Sequence, residues 1–500
     1  MLGPSWATGR KGGLLSGENR RNDAACRPAR GSHLACPDDC RGARMQSRGP
    51  EILVAHGWSD RNSGDAAIVR CLADRLVDRF PSARLWLMSE FSASDWRFRH
   101  DHSDSRDIFG DRVLGSVFPI VPIQRGPHPG NRSWRDRWTD AALAAFCLVR
   151  SLCVALGIPV PSWLWSARER ETLLVLSRVD LVVSKGGGFL FGERSLRSTL
   201  RLWRVLFPFV LARRGRIPFV LYGQSIGPFA TRFQAWLARK VLDHAALILV
   251  RESLSAELLP RLRVRAPVAV VPDLAFGLPS GPPAVADRLL RKYGVPRGRP
   301  LVGVTVRQWP SAREVYLASL RAAIERLLET TPVHVVIWPH CTGPGEFEDD
   351  RRASRALGQS LPHCRRVTVV EGEIPAQVLK ACYARMDMMI ATRFHSAIFA
   401  LSELVPTLVI GYWGPKAEGI MRELGLRQWV HRIETLSPPQ LAAASVSLWE
   451  QRHRVREHLS DRIPAVIDRA RELHPQVGFL LERATRPDST RQTVLRSQAR

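Results

Sequence analysis

Short apolar runs alternate along most of the chain with longer segments in which apolar residues recur every three or four positions. The first pair begins at residue 51, where the run 51–57 is followed by a polar loop and then by the segment 65–80. Short apolar runs predict buried strands, and the three-to-four spacing predicts amphipathic helices. The apolar positions of 65–80 include Ala67, Val69, Leu72, Leu76 and Phe80. Because strands alternate with helices, we expect mostly parallel sheets with helices on both faces.

The alternation forms two blocks, as a chain of 500 residues requires, because it is too long for one compact core. We predict an N-terminal Rossmann-like domain over 49–276, a linker rich in Pro, Gly and Ala over 277–286, and a C-terminal Rossmann-like domain over 287–436. Residues 437–484 predict helices that close the body. The predicted fold class is α/β, with two doubly wound Rossmann-like domains facing a cleft.

Two segments interrupt this rhythm. Residues 91–138 are polar, and we expect a long loop or a partial insertion there. Residues 141–158 form the most apolar window, which is interrupted by Arg150 and Ser151 and is close to the shortest length that spans a bilayer. A buried helix and a helix lying in a membrane interface both fit this window, and we expect the buried one.

The two ends of the chain lack any such period. Residues 1–48 are rich in Gly, Arg and Cys and predict a disordered leader, with Met45 as a hypothesis for the true start. Residues 485–500 are polar and basic and predict a disordered tail. The leader has no apolar core of the kind that a secretion signal carries, so we expect a cytoplasmic location.

The nine cysteines do not follow a disulfide framework, and their odd number favours reduced thiols in a cytosolic compartment. One group in the leader has a spacing that invites comparison with a zinc site: Cys26, His33, Cys36 and Cys40. This group lacks a second well-spaced pair, so we expect no metal site.

The formal net charge is +26, from 73 basic and 47 acidic residues. Only six of the basic residues are lysines, which indicates an Arg-rich surface more than a dedicated polyanion site. If the charge serves function, the candidate partners are, in order, anionic small substrates, an anionic membrane surface and nucleic acid. We expect no nucleic-acid binding, because the sequence contains no zinc-finger, helix-turn-helix or RNA-recognition signature.

Polar stretches follow the predicted strands of both domains. Ligands of open parallel sheets bind at the carboxyl ends of the strands, beside the N-termini of helices. Eight such coincidences predict a binding cleft. The stretches are "RNSGDAA", "SKGGGFLFG", "YGQSIGPF", "VRESLS", "VPDLAF", "VRQW", "ATRFHS" and "YWGPKAEG".

Two of these stretches suit anions. In the first, Asn62 and Asp65 lie at a strand-to-helix turn, where free backbone N–H groups attract anions, although Asp65 also fits a role as the helix cap alone. In the second, three glycines let the backbone approach a ligand closely, and Lys185 adds a point charge. This loop lacks the later residues of a Walker motif. The three glycines are Gly186, Gly187 and Gly188.

The next stretches offer hydrogen-bonding and charged groups. Gln224 and Ser225 can bind the hydroxyl groups of a sugar, although the adjacent Gly-Pro pair is also ordinary turn chemistry. Arg251 ends its strand beside Glu252, so an anion-binding role and a surface ion pair both fit it. Asp273 is similarly placed and is a candidate ligand or turn cap.

An arginine and a histidine two residues apart lie at a strand end of the second block. Ser396 is predicted to cap the following helix, so His395 is not needed as the helix cap. The guanidinium of Arg393 can bind a carboxylate or phosphate through two N–H groups, and an imidazole is a natural proton carrier near neutral pH. We interpret both as catalytic candidates. Arg307, at another strand end, is a candidate for binding substrate.

The ordered set of motifs resembles the polysaccharide pyruvyl transferase family over residues 52–426. The resemblance implies the two-domain GT-B-like architecture and transfer of pyruvate from phosphoenolpyruvate to sugar hydroxyls, which forms a ketal on an exopolysaccharide or cell-wall glycan. The motifs are "NSGDAAI", "VDLVVSKGGGFL", "YGQSIGPF", "LVRESLS", "VPDLAF", "MIATRFHSAIFAL" and "PTLVIGYWGPKAEGIMRELGL".

The resemblance also implies roles for single residues. Arg393 and Arg251 would hold the carboxylate and phosphate of the donor, His395 would act as acid or base, and Lys416 would line the same cleft. No cofactor is expected beyond phosphoenolpyruvate as donor substrate. The expected acceptor is a sugar or a lipid-linked glycan, and peripheral contact with the inner face of the membrane is a further hypothesis.

Two other functions fit the same scaffold. A GT-B-like glycosyltransferase would bind a nucleotide sugar in the second domain. A non-catalytic protein of a glycan or membrane surface would depend on the basic surface and on the apolar segment 141–158.

Overall fold

The computed structural model describes residues 49–126, 133–309, 313–361, 365–412 and 414–484. The predicted leader, the hypothesis about Met45 and the predicted tail lie outside these residues, as do the four metal-ligand candidates of the leader. They stay predictions.

The first domain contains an eight-stranded sheet in the order β3-β2-β1-β4-β6-β7-β8, with β5 beside the end of β6. The pairs between its described strands are parallel. Its strands are β1 Glu51–Gly57, β2 Arg84–Ser89, β3 Val113–Leu114, β4 Leu181–Ser184, β5 Gly187–Gly192, β6 Phe219–Phe229, β7 Leu247–Val250 and β8 Val268–Val270. Its helices are α1 Ser63–Arg79, α2 Trp96–His100, α3 Ser103–Phe109, α4 Trp134–Leu156, α5 Ala167–Leu176, α6 Leu196–Arg214, α7 Arg232–Leu242 and α8 Ser253–Arg261.

The second domain contains a six-stranded parallel sheet in the order β11-β10-β9-β12-β13-β14. Its strands are β9 Leu301–Thr305, β10 His334–Trp338, β11 Val367–Val369, β12 Met388–Ala391, β13 Thr407–Gly411 and β14 Val430–Arg432. The remaining helices are α9 Pro283–Lys292, α10 Arg313–Thr330, α11 Asp350–Ser360, α12 Ala376–Tyr383, α13 Phe394–Ser402, α14 Lys416–Glu423, α15 Pro438–Arg471 and α16 Pro475–Ala484. The predicted α/β fold class is confirmed. Helix α9 begins inside the predicted linker.

The strand order reverses at one place in each sheet. In the first sheet, β1 lies between β2 and β4, and in the second, β9 lies between β10 and β12. Such reversals open a crevice at the carboxyl ends of the two strands concerned, because the connections leave toward opposite sides. The loops after β1, β4, β9 and β12 are therefore the places where the fold positions a ligand.

A continuous apolar core joins the domains, and the C-terminal helices close it. This core includes α1 and a short turn at 274–277 from the first domain, together with α13 and α15. After α15 the chain returns to the first domain, where the Tyr222 hydroxyl donates to the carbonyl of Glu472 at 3.3 Å. A second core lies on the opposite face of the first sheet, beneath α4, α5, α6 and α7.

The polar segment 91–138 is not one long loop, so of the two readings the loop is wrong and a partial insertion with its own short elements remains. It contains α2, α3, β3 and the start of α4. The carboxylate of Asp95 accepts the Arg97 amide at 2.8 Å and also pairs with the Arg97 guanidinium at 2.7 Å. Its polar side chains thus cap helices and pair locally, which a count of apolar residues does not reveal.

The predicted burial of the apolar helix is also wrong. The structure places 22% of its most apolar 18-residue window inside the protein, and α4 is long and apolar enough to cross a membrane by length and composition. The two polar residues that interrupt the run, Arg150 and Ser151, are buried, together with Cys147 and Val154. Their side chains face the core, whereas most of the apolar side chains face outward.

Candidate active site

The carboxyl ends of the two sheets meet directly. The backbone N–H of Ser63, after β1, donates to the carbonyl of His340, after β10, at 3.3 Å, and the N–H of Thr342 donates to the carbonyl of Arg61 at 2.9 Å. A cavity of about 340 Å³ lies at this junction. The candidate residues that line it are Asn62, Asp65, Lys185, Gly187, Gly188, Arg251, Arg307, Arg393, His395 and Lys416.

His395 lies in the first turn of α13 and reaches across the junction to α1. A β-carbon at position 64 would overlap the imidazole ring of His395. Glycine at this position leaves the space that the ring occupies. Helix α13 begins at Phe394 with Arg393 as its N-cap residue, and the predicted cap, Ser396, instead donates its hydroxyl to the Arg393 carbonyl. The prediction for Ser396 is therefore wrong.

His395 faces a buried pair of charges. Its Nε2 lies 3.7 Å from Oδ2 of Asp273 and 3.5 Å from Nη1 of Arg251. Burial lowers the pKa of His395, against the opposing effect of Asp273. Burial also opposes ionisation of Asp273, but Arg251 and His395 outweigh it and hold the pKa of Asp273 below its usual range. The carboxylate is thus charged and ready to stabilise an imidazolium.

Arg251 is a buried residue, so a surface ion pair with Glu252 does not explain it. Only 1% of its side chain is exposed. Nη1 donates to Asp273 at 2.5 Å and Nε donates to the Ser225 hydroxyl at 2.7 Å. Ser225 in turn donates to Glu252 at 2.9 Å. Asp273 also caps the turn at 274–277, lies behind Arg251 and does not line the cavity.

Arg393 is held by a partner that the sequence did not suggest. Its Nε and Nη2 donate to Oδ1 of Asp350 at 3.0 and 2.7 Å, and Nη2 also donates to the carbonyl of Glu348 at 2.9 Å. Burial opposes the charge of Arg393, but Asp350 outweighs it and raises the pKa of the guanidinium. One edge of the Arg393 guanidinium is therefore occupied by Asp350. Only the other edge of this guanidinium can form the predicted bidentate hydrogen bonds to a ligand.

The turn after β1 is arranged differently from the predicted helix cap. Asn62 caps α1 by accepting the backbone N–H groups of Gly64 and Asp65. The carboxylate of Asp65 forms an ion pair with the ammonium of Lys185, whose side chain is 1% exposed. Asp65 is thus not the cap. It positions Lys185 beneath the glycine loop.

The glycine loop passes very close to β6. A β-carbon at Gly186 would lie 2.7 Å from the carbonyl oxygen of Gly223, so that glycine serves packing and does not line the cavity. Gly188 faces the site, where its β-carbon would lie 3.3 Å from Nη2 of Arg251. Gln224 is fully buried and donates to the carbonyl of Gly187 at 3.0 Å. It supports the loop and does not line the cavity, so the structure does not bring it to the predicted sugar site.

The second domain contributes a cluster of cations around one phenol. The guanidinium of Arg307 lies 4.2 Å from the ring centre of Tyr412, and Nζ of Lys416 lies 4.8 Å from it. Burial lowers the pKa of Lys416. Burial opposes ionisation of Tyr412 as well, but Lys416, Arg307 and Arg393 outweigh it and lower the pKa of the phenol.

Several lining residues were missed by the sequence analysis. Tyr412 directly follows β13, where position alone could have indicated it, and Trp58 follows β1 and donates to Glu348 at 3.3 Å. Others come from the middle of α6, where no strand-end signal exists. The missed residues are His56, Trp58, Glu90, Phe189, Phe191, Arg201, Arg204, Val205, His340, Cys341, Glu348, Phe394 and Tyr412.

The site is cationic as a whole. Of the described residues that line the cavity, seven are Lys or Arg and three are Asp or Glu. Within the part of the chain that the structure describes, no group of three or more His, Cys, Asp or Glu side chains is placed to hold a metal ion. The arrangement can bind a small polyanion beside a histidine that exchanges protons.

Two doubly wound parallel sheets that meet over a cationic cleft define a GT-B-like scaffold. The UDP-GlcNAc 2-epimerase of Neisseria meningitidis has this fold: it superposes with a TM-score of 0.50 at 12% identity, covering 86% of this chain and 100% of that one. A glycosyltransferase from Rickettsia africae superposes with a TM-score of 0.49 at 10% identity, covering 88% and 100%.

The sequence comparison defines the family. The profile of the polysaccharide pyruvyl transferase family matches residues 62–414, so the chain belongs to that family, as its motifs predicted. The amylovoran biosynthesis protein AmsJ of Erwinia amylovora is 23% identical over 457 residues, which covers 86% of this chain and 95% of AmsJ.

Proposed function

We propose that this protein transfers the pyruvyl group of phosphoenolpyruvate to two hydroxyl groups of a sugar and so forms a pyruvate ketal. The observation that carries the proposal is the position of His395 beside Arg251, at the edge of a cationic cavity, in a chain of this family. The donor carries a carboxylate and a phosphate on the same enol carbon, next to the methylene carbon that accepts a proton. A proton carrier between fixed cations matches that distribution of charge.

The donor would bind where cations of both domains converge. Arg251 comes from the first domain, and Arg307 and Lys416 come from the second, so an anion between them draws on both. Gly188 lets the anion approach Arg251, because a side chain at that position would press against the guanidinium. Fixed cations in a buried site stabilise negative charge without reorganising.

The reaction begins with protonation. Protonated His395, stabilised by Asp273, gives its proton to the methylene carbon of phosphoenolpyruvate, and the adjacent carbon becomes electrophilic. A sugar hydroxyl oxygen attacks that carbon, and its proton returns to neutral His395. The bond between this carbon and the phosphate oxygen then breaks. The phosphate takes the electron pair of that bond and leaves toward the cations. A second hydroxyl attacks, its proton passes to the phosphate, and the ketal ring closes.

The acceptor would lie along the first domain. Phe189 and Phe191 line this wall, with the Arg201 guanidinium 3.8 Å from the ring centre of Phe191, and Glu90 lies at the same wall in an ion pair with Arg204. A further cavity of about 530 Å³ shares Tyr412 with the site and would give room for more than one sugar unit. Because AmsJ is named for amylovoran biosynthesis, we propose an exopolysaccharide or cell-wall glycan precursor, free or lipid-linked, at a cytoplasmic location.

Binding of phosphoenolpyruvate tests the donor site. We expect it to raise the thermal midpoint by mass action, since a ligand at a hundredfold excess over its Kd stabilises the native state by about 2.7 kcal/mol. Lys416→Met should weaken this stabilisation strongly. Lys292→Met, the same change on the exposed surface of α9, should leave it intact.

The same assay separates the competing functions. Stabilisation by a uridine diphosphate sugar alone would indicate glycosyl transfer, and stabilisation by neither ligand would indicate a non-catalytic scaffold. For the chemistry itself, release of inorganic phosphate from phosphoenolpyruvate should require an acceptor saccharide and should be lost in His395→Gln.

A further inference from the structure

Helix α4 turns its apolar stripe outward, whereas an ordinary surface helix turns its apolar stripe toward the core. Its buried residues are Cys147, Arg150, Ser151 and Val154, whereas the stripe on its outer side is apolar. A surface helix of a soluble domain normally turns its apolar stripe to the core. The outward stripe of α4 therefore indicates a partner. It contains Trp134, Trp138, Val149, Leu152 and Leu156.

The apolar stripe continues onto neighbouring helices. Leu196 and Leu200 on α6, and Phe233 and Trp236 on α7, are also exposed. The rings of Phe233 and Trp236 stack with their centres 5.6 Å apart. Of the 19 large apolar residues found exposed among the described residues, 13 lie between 134 and 236. Such a concentration marks an interaction surface, whereas scattered exposed residues do not.

Hydrogen bonds hold these helices together as one layer. The indole of Trp203 on α6 donates to the Ser151 hydroxyl on α4 at 2.7 Å. The amide of Gln234 on α7 donates to the Thr199 hydroxyl on α6 at 2.9 Å. The exposed apolar residues of α4, α6 and α7 thus lie on one layer of neighbouring helices, and we call them the apolar face.

Charges around the apolar face are mostly positive. Within 193–201 and 232–240, six residues are basic and one is acidic, and the start of α4 adds two basic residues (Arg135, Arg137) and two acidic ones (Asp136, Asp140), so an anionic partner is favoured. Tryptophan next to basic side chains is the composition of elements that lie in the headgroup region of a bilayer. The basic residues of 193–201 and 232–240 are Arg194, Arg197, Arg201, Arg232, Arg239 and Lys240, and the acidic residue is Glu193.

The anchoring of α4 excludes a helix that crosses the membrane. Arg150 pairs with Glu169 at 2.5 Å, donates to the carbonyl of Val117 at 3.0 Å, and stacks on Trp165 at 3.8 Å. Leaving the domain would break all of these contacts and carry a charge into the hydrocarbon. The helix therefore stays on the domain and presents only its outer side.

We propose that the apolar face docks the protein onto an anionic phospholipid bilayer, with the tryptophans in the headgroup region and the arginines on lipid phosphates. The face reaches the rim of the active-site cleft, because α6 carries both Leu196 and Leu200 on the face and Arg201 and Arg204 in the cavity wall. If the proposed function holds, docking would bring the cleft to a lipid-linked acceptor. Docking itself does not depend on the reaction.

Vesicle binding by the full chain tests the proposal. We expect co-sedimentation with vesicles of phosphatidylcholine and phosphatidylglycerol, weak binding to phosphatidylcholine alone, and loss of binding at high salt. The double variant Trp134→Ser with Trp138→Ser should reduce the partition coefficient roughly tenfold or more, because two large apolar side chains no longer insert. Arg194→Glu with Arg197→Glu should weaken binding to anionic vesicles specifically.

Matched variants control for general effects. Val315→Ser with Phe479→Ser removes two exposed apolar residues of other helices, and Arg291→Glu with Lys292→Glu makes the same charge change on α9. Both controls should bind vesicles like the wild type, and unchanged phosphoenolpyruvate binding would show that the site is intact. Equal loss in test and control variants, or no vesicle binding by the wild type, would overturn the proposal. So would a lipid-free dimer that the tryptophan variant dissociates, because a second copy would then cover the face.

Discussion

The imidazole of His395 lies directly against the α-carbon of Gly64, although His395 belongs to the second domain and Gly64 to helix α1 of the first domain. A β-carbon on residue 64 would overlap the ring. The contact joins the two domains at the cleft, and it explains a glycine in the first turn of α1, where alanine would be the better helix former.

Gly64→Ala should therefore abolish activity without unfolding the protein. The added methyl group displaces His395 from Asp273 and Arg251, and a positioned acid or base contributes about 10²–10⁴-fold to the rate. The measurement is kcat for phosphate release, with the thermal midpoint as a check on folding. Gly345→Ala is the control, since a β-carbon there meets open space. Full activity in Gly64→Ala would refute a proton-transfer role for His395.

Asp273→Asn should shift the pH dependence of kcat/KM to lower pH. Burial lowers the pKa of His395 and Asp273 raises it, so removing the carboxylate lowers this pKa further. If protonated His395 starts the reaction, kcat/KM falls as the pH rises through the pKa of His395. This descending limb of the pH profile moves to lower pH in Asp273→Asn. The position of the limb does not depend on the amount of folded protein. Asp74→Asn on the surface of α1 is the control, and an unmoved limb in Asp273→Asn would contradict the proposed pair.

Tyr412 should form its phenolate below the usual pH range of tyrosine. Burial opposes this, but Lys416, Arg307 and Arg393 outweigh it and lower the pKa of Tyr412. The chain has five tyrosines, so a titration followed by phenolate absorbance can resolve the early step. Tyr412→Phe should remove that step, and Tyr293→Phe should retain it. Phosphoenolpyruvate should move this titration step to higher pH, because an anion bound among these cations disfavours the phenolate. If the ligand does not change the pH of the step, the donor binds elsewhere.

Arg150→Met should destabilise the first domain by about 2–4 kcal/mol, because it leaves Glu169 and two carbonyl oxygens without their donor. Arg150 donates to the carbonyls of Leu164 and Val117 as well as to Glu169. Chemical denaturation measures the free energy of unfolding. Arg168→Met, an exposed residue of α5, should cost well under 1 kcal/mol. Similar small effects in both variants would show that Arg150 does not anchor α4.

The positions of the strand ends could be predicted from local sequence. Buried parallel strands are short apolar runs, and the polar stretch after each run marks the place where the chain leaves the sheet. These strand ends place Lys185, Arg251, Arg307 and His395 around one predicted cleft. Tyr412 also follows a strand, at the start of the stretch "YWGPKAEG", but no neighbouring residue in that stretch distinguished its phenol from a core side chain.

The partners of these residues could not be predicted. Asp350 holds Arg393, and Asp65 holds Lys185, yet each pair joins residues far apart in the chain. Their pairing depends on which loops the two sheets bring together. Gln224 has the chemistry of a sugar ligand, but the close passage of the glycine loop over β6 buries it.

The amino-acid sequence by itself determined the order of helices and strands outside the segment 91–138, the two-domain division of the fold and the family, because these depend on local periodicity and on motifs within short segments. Only the tertiary structure decided which side chains face the cavity, which are committed to buried ion pairs, and which way α4 turns. Periodicity measures how apolar a helix is, whereas the direction of its apolar side depends on what packs beside it. For α4, the buried contacts of Arg150 and Ser151 set the orientation and left the tryptophans outside.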